Sequence, residues 1–305
     1  MAYTAADVKN LREMTGVGMM DCKKALAEAD GNMDKAVEIL REKGLAASQK
    51  KAGRIAAEGM AYATVVDGVG VVVEVNAETD FVGKNEKFVD FVKGVAAVVA
   101  KENPADLEAL MACKYNDTLT VEQQQQEMVL VIGENIKVRR FHIFEGGVSV
   151  PYIHAGGKIG VLVNLETNLT AEQVTECGKD VAMQIAALNP RFWDKSQVTE
   201  DVLEEERKIM MVQMSNDPKM AGKPEQVIAK IVEGKLNKFY AENCLLQQEF
   251  VKDGELTVEK YIAKCAKELG GEIKLKDAVR FEKGEGIEKK QENFAEEIAK
   301  MAAGK

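Results

Sequence analysis

Val71, Val72, Val73 and Val75 form a nearly continuous apolar run, and the polar step Glu78-Thr79-Asp80 ends it. From Phe81 the period changes. Apolar residues then recur as Val82, Phe88, Val89, Phe91, Val92, Val95, Ala96 and Val99. The first pattern predicts a buried strand. The second predicts a helix that stops at Asn103-Pro104, because proline disfavours helical backbone in the residue before it. Thr79 or Asp80 is the predicted N-cap, since a short side-chain oxygen accepts the unpaired N–H groups of a first turn. Phe81 would then stand at the mouth of a helix. It is either one more core aromatic, as large aromatics usually are, or a ring offered with an acid to a partner.

The chain contains its own comparison. Residues 158–190 repeat the plan: Val73, Val75, Asn76, Glu78 and Thr79 align with Val161, Val163, Asn164, Glu166 and Thr167, and the second helix also stops at Asn-Pro, Asn189-Pro190. At the tip Asp80-Phe81 becomes Asn168-Leu169. Asparagine caps a helix as well as aspartate does, so capping alone does not require the difference.

Elsewhere the patterns predict a three-helix module over 1–45, opened by Thr4-Ala5-Ala6-Asp7, broken at Thr15–Gly18 and ended by Gly44. Met19 and Met20, placed in its loop, either close a small core or form an adaptable contact surface. A core this small should lean on something else. A connector over 46–58 precedes strands at 60–66 and 69–76, joined by the hairpin turn Asp67-Gly68. A helical region at 105–132 and strands at 136–144, 148–154 and 159–165 follow, then a helix at 170–188. Two helical runs over 199–243, split by Ser215-Asn216-Asp217-Pro218, read as a projecting antiparallel hairpin. A helix at 257–269, a strand at 272–281 and an amphipathic helix at 287–302 complete an α+β fold.

Composition narrows the function. The 305 residues allow two or three domains. The net charge of −9 argues against direct nucleic-acid binding, which normally needs a basic face. Lys50-Lys51 and Arg139-Arg140 read as solvated faces. Five scattered cysteines without a Cys-x-x-Cys pair fit a reducing, cytoplasmic setting, and no apolar run reaches the ~18 residues of a membrane span. The two histidines, His142 and His154, sit in no metal-ligand cluster. No phosphate-cradling G-x-x-x-x-G-K-[ST] loop or G-x-S-x-G elbow occurs. No metal, cofactor or catalytic group is expected.

Two long segments, LREMTGVGMMDCKKAL (11–26) and EVNAETDFVGK (74–84), resemble the signatures of the bacterial elongation factor Ts family. The likeness extends to GENI (133–136) with Arg139-Arg140, GKPEQVIAKIVEGKLNKF (222–239) and FEKGEGIEK (281–289). Ala77, where cysteine is common, and Gly83, where alanine or serine is usual, depart from the pattern. Glycine at 83 would weaken a first helical turn by ~1 kcal/mol relative to alanine.

The resemblance implies a UBA-like module and linker at 1–54, core subdomains at 55–145 and at 146–198 with 244–286, a coiled-coil hairpin at 199–243 and a C-terminal helix module at 287–305. It implies a guanine-nucleotide exchange factor whose partner is the GTPase elongation factor Tu, with no catalytic chemistry of its own. The site it implies comprises Thr79, Asp80, Phe81 and Val82, which displace the elements holding the GTPase's Mg²⁺. Arg12, Met19, Met20 and Lys23 grip a helix of the same domain, Ile132 and Gly133 lie near its phosphate loop, and His154 points to another domain. A two-fold assembly through the helical hairpin stays open. The rival reading is a helix-binding adaptor or chaperone-like protein built on the three-helix module.

Overall fold

Thr4 opens the first helix with a capping box: its hydroxyl accepts the Asp7 N–H, and the Asp7 carboxylate accepts the Thr4 N–H at 2.7 Å. In the computed structural model, which describes residues 3–216 and 224–288, this helix, α1 (Ala5–Thr15), is followed by α2 (Met19–Glu28) and α3 (Met33–Lys51). Leu11, Cys22, Ala25, Leu26, Ala36 and Leu40 form their core. As its size requires, that core leans outward, on Leu130 and Val131 of α6 (Val121–Ile132). Two expectations are corrected. Gly44 does not end α3; the helix runs through it to Lys51, and because a Cβ there would sit 3.2 Å from the Gln126 carbonyl oxygen of α6, glycine serves close helix packing. Met19 and Met20 belong to the first turn of α2, not to a loop.

The next strands are β1 (Glu58–Val66) and β2 (Val69–Ala77), antiparallel around Asp67-Gly68, both with positive φ as a tight hairpin demands. With β3 (Lys137–Phe144) they make a sheet of order β1-β2-β3. A second antiparallel sheet has the order β4-β5-β8, from β4 (Val148–His154), β5 (Ile159–Thr167) and β8 (Ile273–Glu282). In each sheet the central strand buries its valines under the helix that follows. Val73 and Val75 pack with Phe88, Phe91, Val92 and Val95 of α4 (Glu86–Glu102), and Val161 and Val163 with Val181 and Ile185 of α7 (Ala171–Leu188). Both helices end on a left-handed asparagine before proline, Asn103 and Asn189, each at φ 45°. The opposite faces of the sheets meet through Ala61, Ala63, Val72, Leu162 and Phe281.

The helical region at 105–132 resolves into α5 (Leu107–Ala112) and α6, joined by a bridge from Lys114 to Thr120. The hairpin at 199–243 is α8 (Glu200–Ser215) and α9 (Glu225–Asn243), with Leu203, Leu236 and Phe239 at its base. A small ribbon, β6 (Glu249–Phe250) with β7 (Asp253–Thr257), leads into α10 (Val258–Leu269). Residues 217–218 of the expected breaker, and the expected C-terminal helix beyond Glu288, lie outside the described residues.

Glu74, in the middle of β2, is fully buried. One carboxylate oxygen accepts the Arg139 Nη1–H at 2.9 Å, the Asn76 amide at 3.0 Å and the Gly284 N–H at 2.7 Å; the other accepts the Arg140 Nε–H at 2.5 Å. Arg140 also stacks over the Phe281 ring and bonds Glu285. Arg139-Arg140 is therefore not a solvated face. The two guanidiniums neutralise an acid that would be too costly to bury alone, and they tie the first sheet to the segment after β8. Burial pushes the Glu74 carboxyl up, but the Gly284 N–H, the Asn76 amide and the two arginines together hold it below the usual carboxylate range.

Candidate functional site

At the end of β2 the chain does not enter α4 directly. Val82–Lys84 forms one 3-10 turn, and α4 begins only at Glu86, capped by Asn85, whose Oδ1 accepts the Lys87 and Phe88 N–H groups. Thr79 and Asp80 are thus not the helix cap. The cap chemistry sits further on, and the turn between frees the tip. Val82 is buried beneath it, Asp80 is exposed, and the Phe81 ring is 81% exposed.

The tip is held from behind by the segment that precedes β3. The Glu134 carboxylate accepts both the Thr79 N–H at 3.0 Å and the Thr79 hydroxyl at 2.7 Å. In return the Glu78 carboxylate accepts the Asn135 N–H at 2.7 Å and pairs with Arg54, while the Asn135 amide donates to the Arg54 carbonyl at 2.8 Å. The bonds from Thr79 and Glu78 to residues 134 and 135 span more than fifty residues of sequence and the Arg54 pair spans 24; together they fix the backbone on which Phe81 rides.

Gly83 lies in the 3-10 turn, outside the helix whose first turn it was expected to weaken. A Cβ there would lie 2.9 Å from the Gly59 carbonyl oxygen of β1. Gly83→Ala is therefore expected to lose about 1 kcal/mol through this close contact, not to gain the similar amount an alanine contributes inside a helix. A melting curve that rises on substitution would contradict this.

Of the other expected contact residues, Arg12, Met19, Met20 and Lys23 are exposed on α1 and α2, the two methionines by 53% and 63%. The methionines thus do not close the small core. Lys87, in the first turn of α4, donates to the Gly16 carbonyl at 3.1 Å and so joins this surface to the root of the tip. Ile132 and Gly133 end α6 immediately before Glu134, with Ile132 half-buried on the first core and Gly133 in the left-handed cap. His154 lies apart, exposed at the end of β4 on the other sheet, where its Nδ1 meets the Tyr152 hydroxyl at 3.1 Å. Glu134, Asn135, Arg54 and Lys87 were not singled out from sequence. Only GENI contained a clue, and nothing local tells that its acid reaches Thr79.

Chemistry-bearing groups do not converge here. Among the described residues no group of three or more His, Cys, Asp and Glu side chains is placed to hold a metal, and no helix is long and apolar enough to cross a membrane. The cysteines are all free, and burial pushes the Cys244 thiol up to about 11, far from a nucleophile's range.

Fold and tip together define a class: an α+β scaffold that carries an acid and an aromatic ring outward on a braced strand-to-helix junction. The family model for elongation factor Ts matches residues 78–285. The chain is 50% identical over 302 residues to elongation factor Ts of Clostridium perfringens strain SM101, covering 98% of each chain. It is 49% identical over 306 residues to that of Syntrophotalea carbinolica and 49% over 308 to that of Clostridium kluyveri, covering 99% of each. The chain belongs to the elongation factor Ts family.

Proposed function

We propose that the chain is a cytoplasmic guanine-nucleotide exchange factor of translation elongation, and that it acts by contact on the GTPase elongation factor Tu. The observation that carries this reading is the Phe81 ring, exposed by 81% beside Asp80 on a backbone that cannot easily yield. A ring left in water at such a place is a contact waiting for its partner.

The mechanism needs no catalytic group. A translational GTPase holds GDP through phosphate-loop N–H groups and a Mg²⁺ ion. A partner that binds the nucleotide-free form more tightly than the GDP form weakens GDP by the same factor. A ~10³-fold weakening requires about 4 kcal/mol of differential contact. One buried aromatic contributes ~1.5–3 kcal/mol, so other contacts share the load. In this reading Asp80 and Phe81 disturb the elements around the ion, Val82 anchors the turn behind them, and Thr79 takes the clasp from Glu134. Arg12, Met19, Met20 and Lys23 grip the same domain, kept beside the tip by Lys87. Ile132 and Gly133 reach toward the phosphate loop, and His154 meets another domain.

The layout follows the same proposal: a UBA-like module and linker at 1–54, two related core units, and a coiled-coil hairpin that leaves two-fold assembly open. Stopped-flow release of a fluorescent GDP analogue from elongation factor Tu, with and without the chain, tests the function. Acceleration that saturates with chain concentration is expected, and an unchanged rate refutes it.

A further inference from the structure

β5 stays paired through Thr167 and β2 stops at Ala77, yet each tip leans on a glycine-capped turn before the third strand. Gly133 caps α6 at φ 86°, and Gly270 caps α10 at φ 69°. The next residue differs: Glu134 in the first turn, Gly271 in the second.

The fate of the tip differs with it. Beside Glu134, the carboxylate takes the Thr79 N–H and hydroxyl, and Phe81 stays in solvent. Beside Gly271, the Glu272 N–H donates to Asn168 Oδ1 at 2.8 Å, and Leu169 folds in against the second core. A Cβ on Gly271 would lie 2.5 Å from Leu169 Cγ, so that packing exists only because the position has no side chain. Chain length adds to the contrast, since Leu169 immediately precedes its helix cap Thr170, whereas the turn Val82–Lys84 separates Phe81 from Asn85.

From this pair we infer that the residue after the turn glycine decides whether the tip's apolar side chain is presented or folded in, and that Glu134 is the positioning residue that keeps Phe81 presented. An exposed phenyl ring gains by settling on any apolar floor within reach. Glu134 pins the strand end through both Thr79 bonds; glycine would release it and let the ring settle. The consequence for nucleotide release rests on the exchange-factor reading, but the placement of the ring does not.

The test reads the two separately. Trp193 is the only tryptophan, so F81W in a W193F background reports the tip through one indole. E134G is expected to shift its emission to the blue and cut acrylamide quenching by about twofold, while E134Q leaves both unchanged. The reverse exchange, G271E read by L169W in the same background, is expected to raise quenching. It serves as the deciding arm should E134G fail to fold. With Phe81 in place, E134G is expected to lower the maximal rate of GDP release about tenfold at a half-saturating concentration changed less than about threefold, and E134Q to restore it. Unchanged quenching in the folded variants overturns the inference. If the unsubstituted chain does not speed release at all, the exchange reading fails, and the indole signals still decide the role of Glu134.

Discussion

Replacing Glu74 with glutamine is expected to destabilise the fold by about 3 kcal/mol, a drop of roughly 6 °C or more in melting temperature for a chain of this size. The substitution keeps the volume and removes the charge. It leaves the guanidiniums of Arg139 and Arg140 without their shared anion and turns an amide N–H₂ toward donors that need acceptors. The estimate stays at the lower end for a broken buried pair because both arginines are partly exposed and water offsets some of the loss. The bonds from Asn76 and Gly284 fail with it, so the joint between the first sheet and the segment after β8 loosens.

The pH dependence has a definite sign. Glu74 is held below its ordinary value of 4.5 in the folded chain, so its contribution is complete above that value and is lost as pH falls through the depressed folded one. Melting curves of the two proteins are therefore expected to stay separated from neutral pH to about pH 5 and to converge below it. Curves separated equally at all pH values would show that the loss comes from the amide's hydrogen-bonding mismatch and not from charge.

Phe81→Ala is expected to do the reverse: slow GDP release by roughly 10- to 100-fold, the equivalent of one buried aromatic contact, with a melting temperature almost unchanged. The ring is 81% exposed and covers little of its own protein, so its removal costs the fold at most about 0.5 kcal/mol. The buried neighbour Val82 provides the contrast, because its truncation should lower stability first. A large fall in melting temperature for Phe81→Ala with unaltered release would return the ring to the core.

How much of this was legible varied with the range of the interaction. The hairpin at Asp67-Gly68 and the helix stops at Asn103-Pro104 and Asn189-Pro190 could be read directly, since each depends on the backbone preference of one or two residues. The start of α4 was misplaced because Thr79, Asp80 and Asn85 can all cap; in the fold Thr79 is engaged by Glu134, and Asn85 caps the helix. Arg139-Arg140 looked solvent-facing because charge in a strand usually is. Nothing local discloses that a second sheet covers that face. The tip was legible only by contrast with its repeat: Leu169 shows what an apolar residue does there when it serves the fold, and Phe81 does otherwise. The Glu134 clasp joins partners far apart in sequence, and no periodicity or motif carries that information.

Exchange by contact requires differential affinity delivered through the tip, and calorimetric titration of elongation factor Tu with the chain, in the nucleotide-free and the GDP-bound forms, measures it most directly. The nucleotide-free form is predicted to bind ~10³-fold more tightly, with the ratio falling by roughly tenfold or more for Phe81→Ala. Equal affinity for the two forms, or a ratio untouched by the loss of the ring, would contradict it.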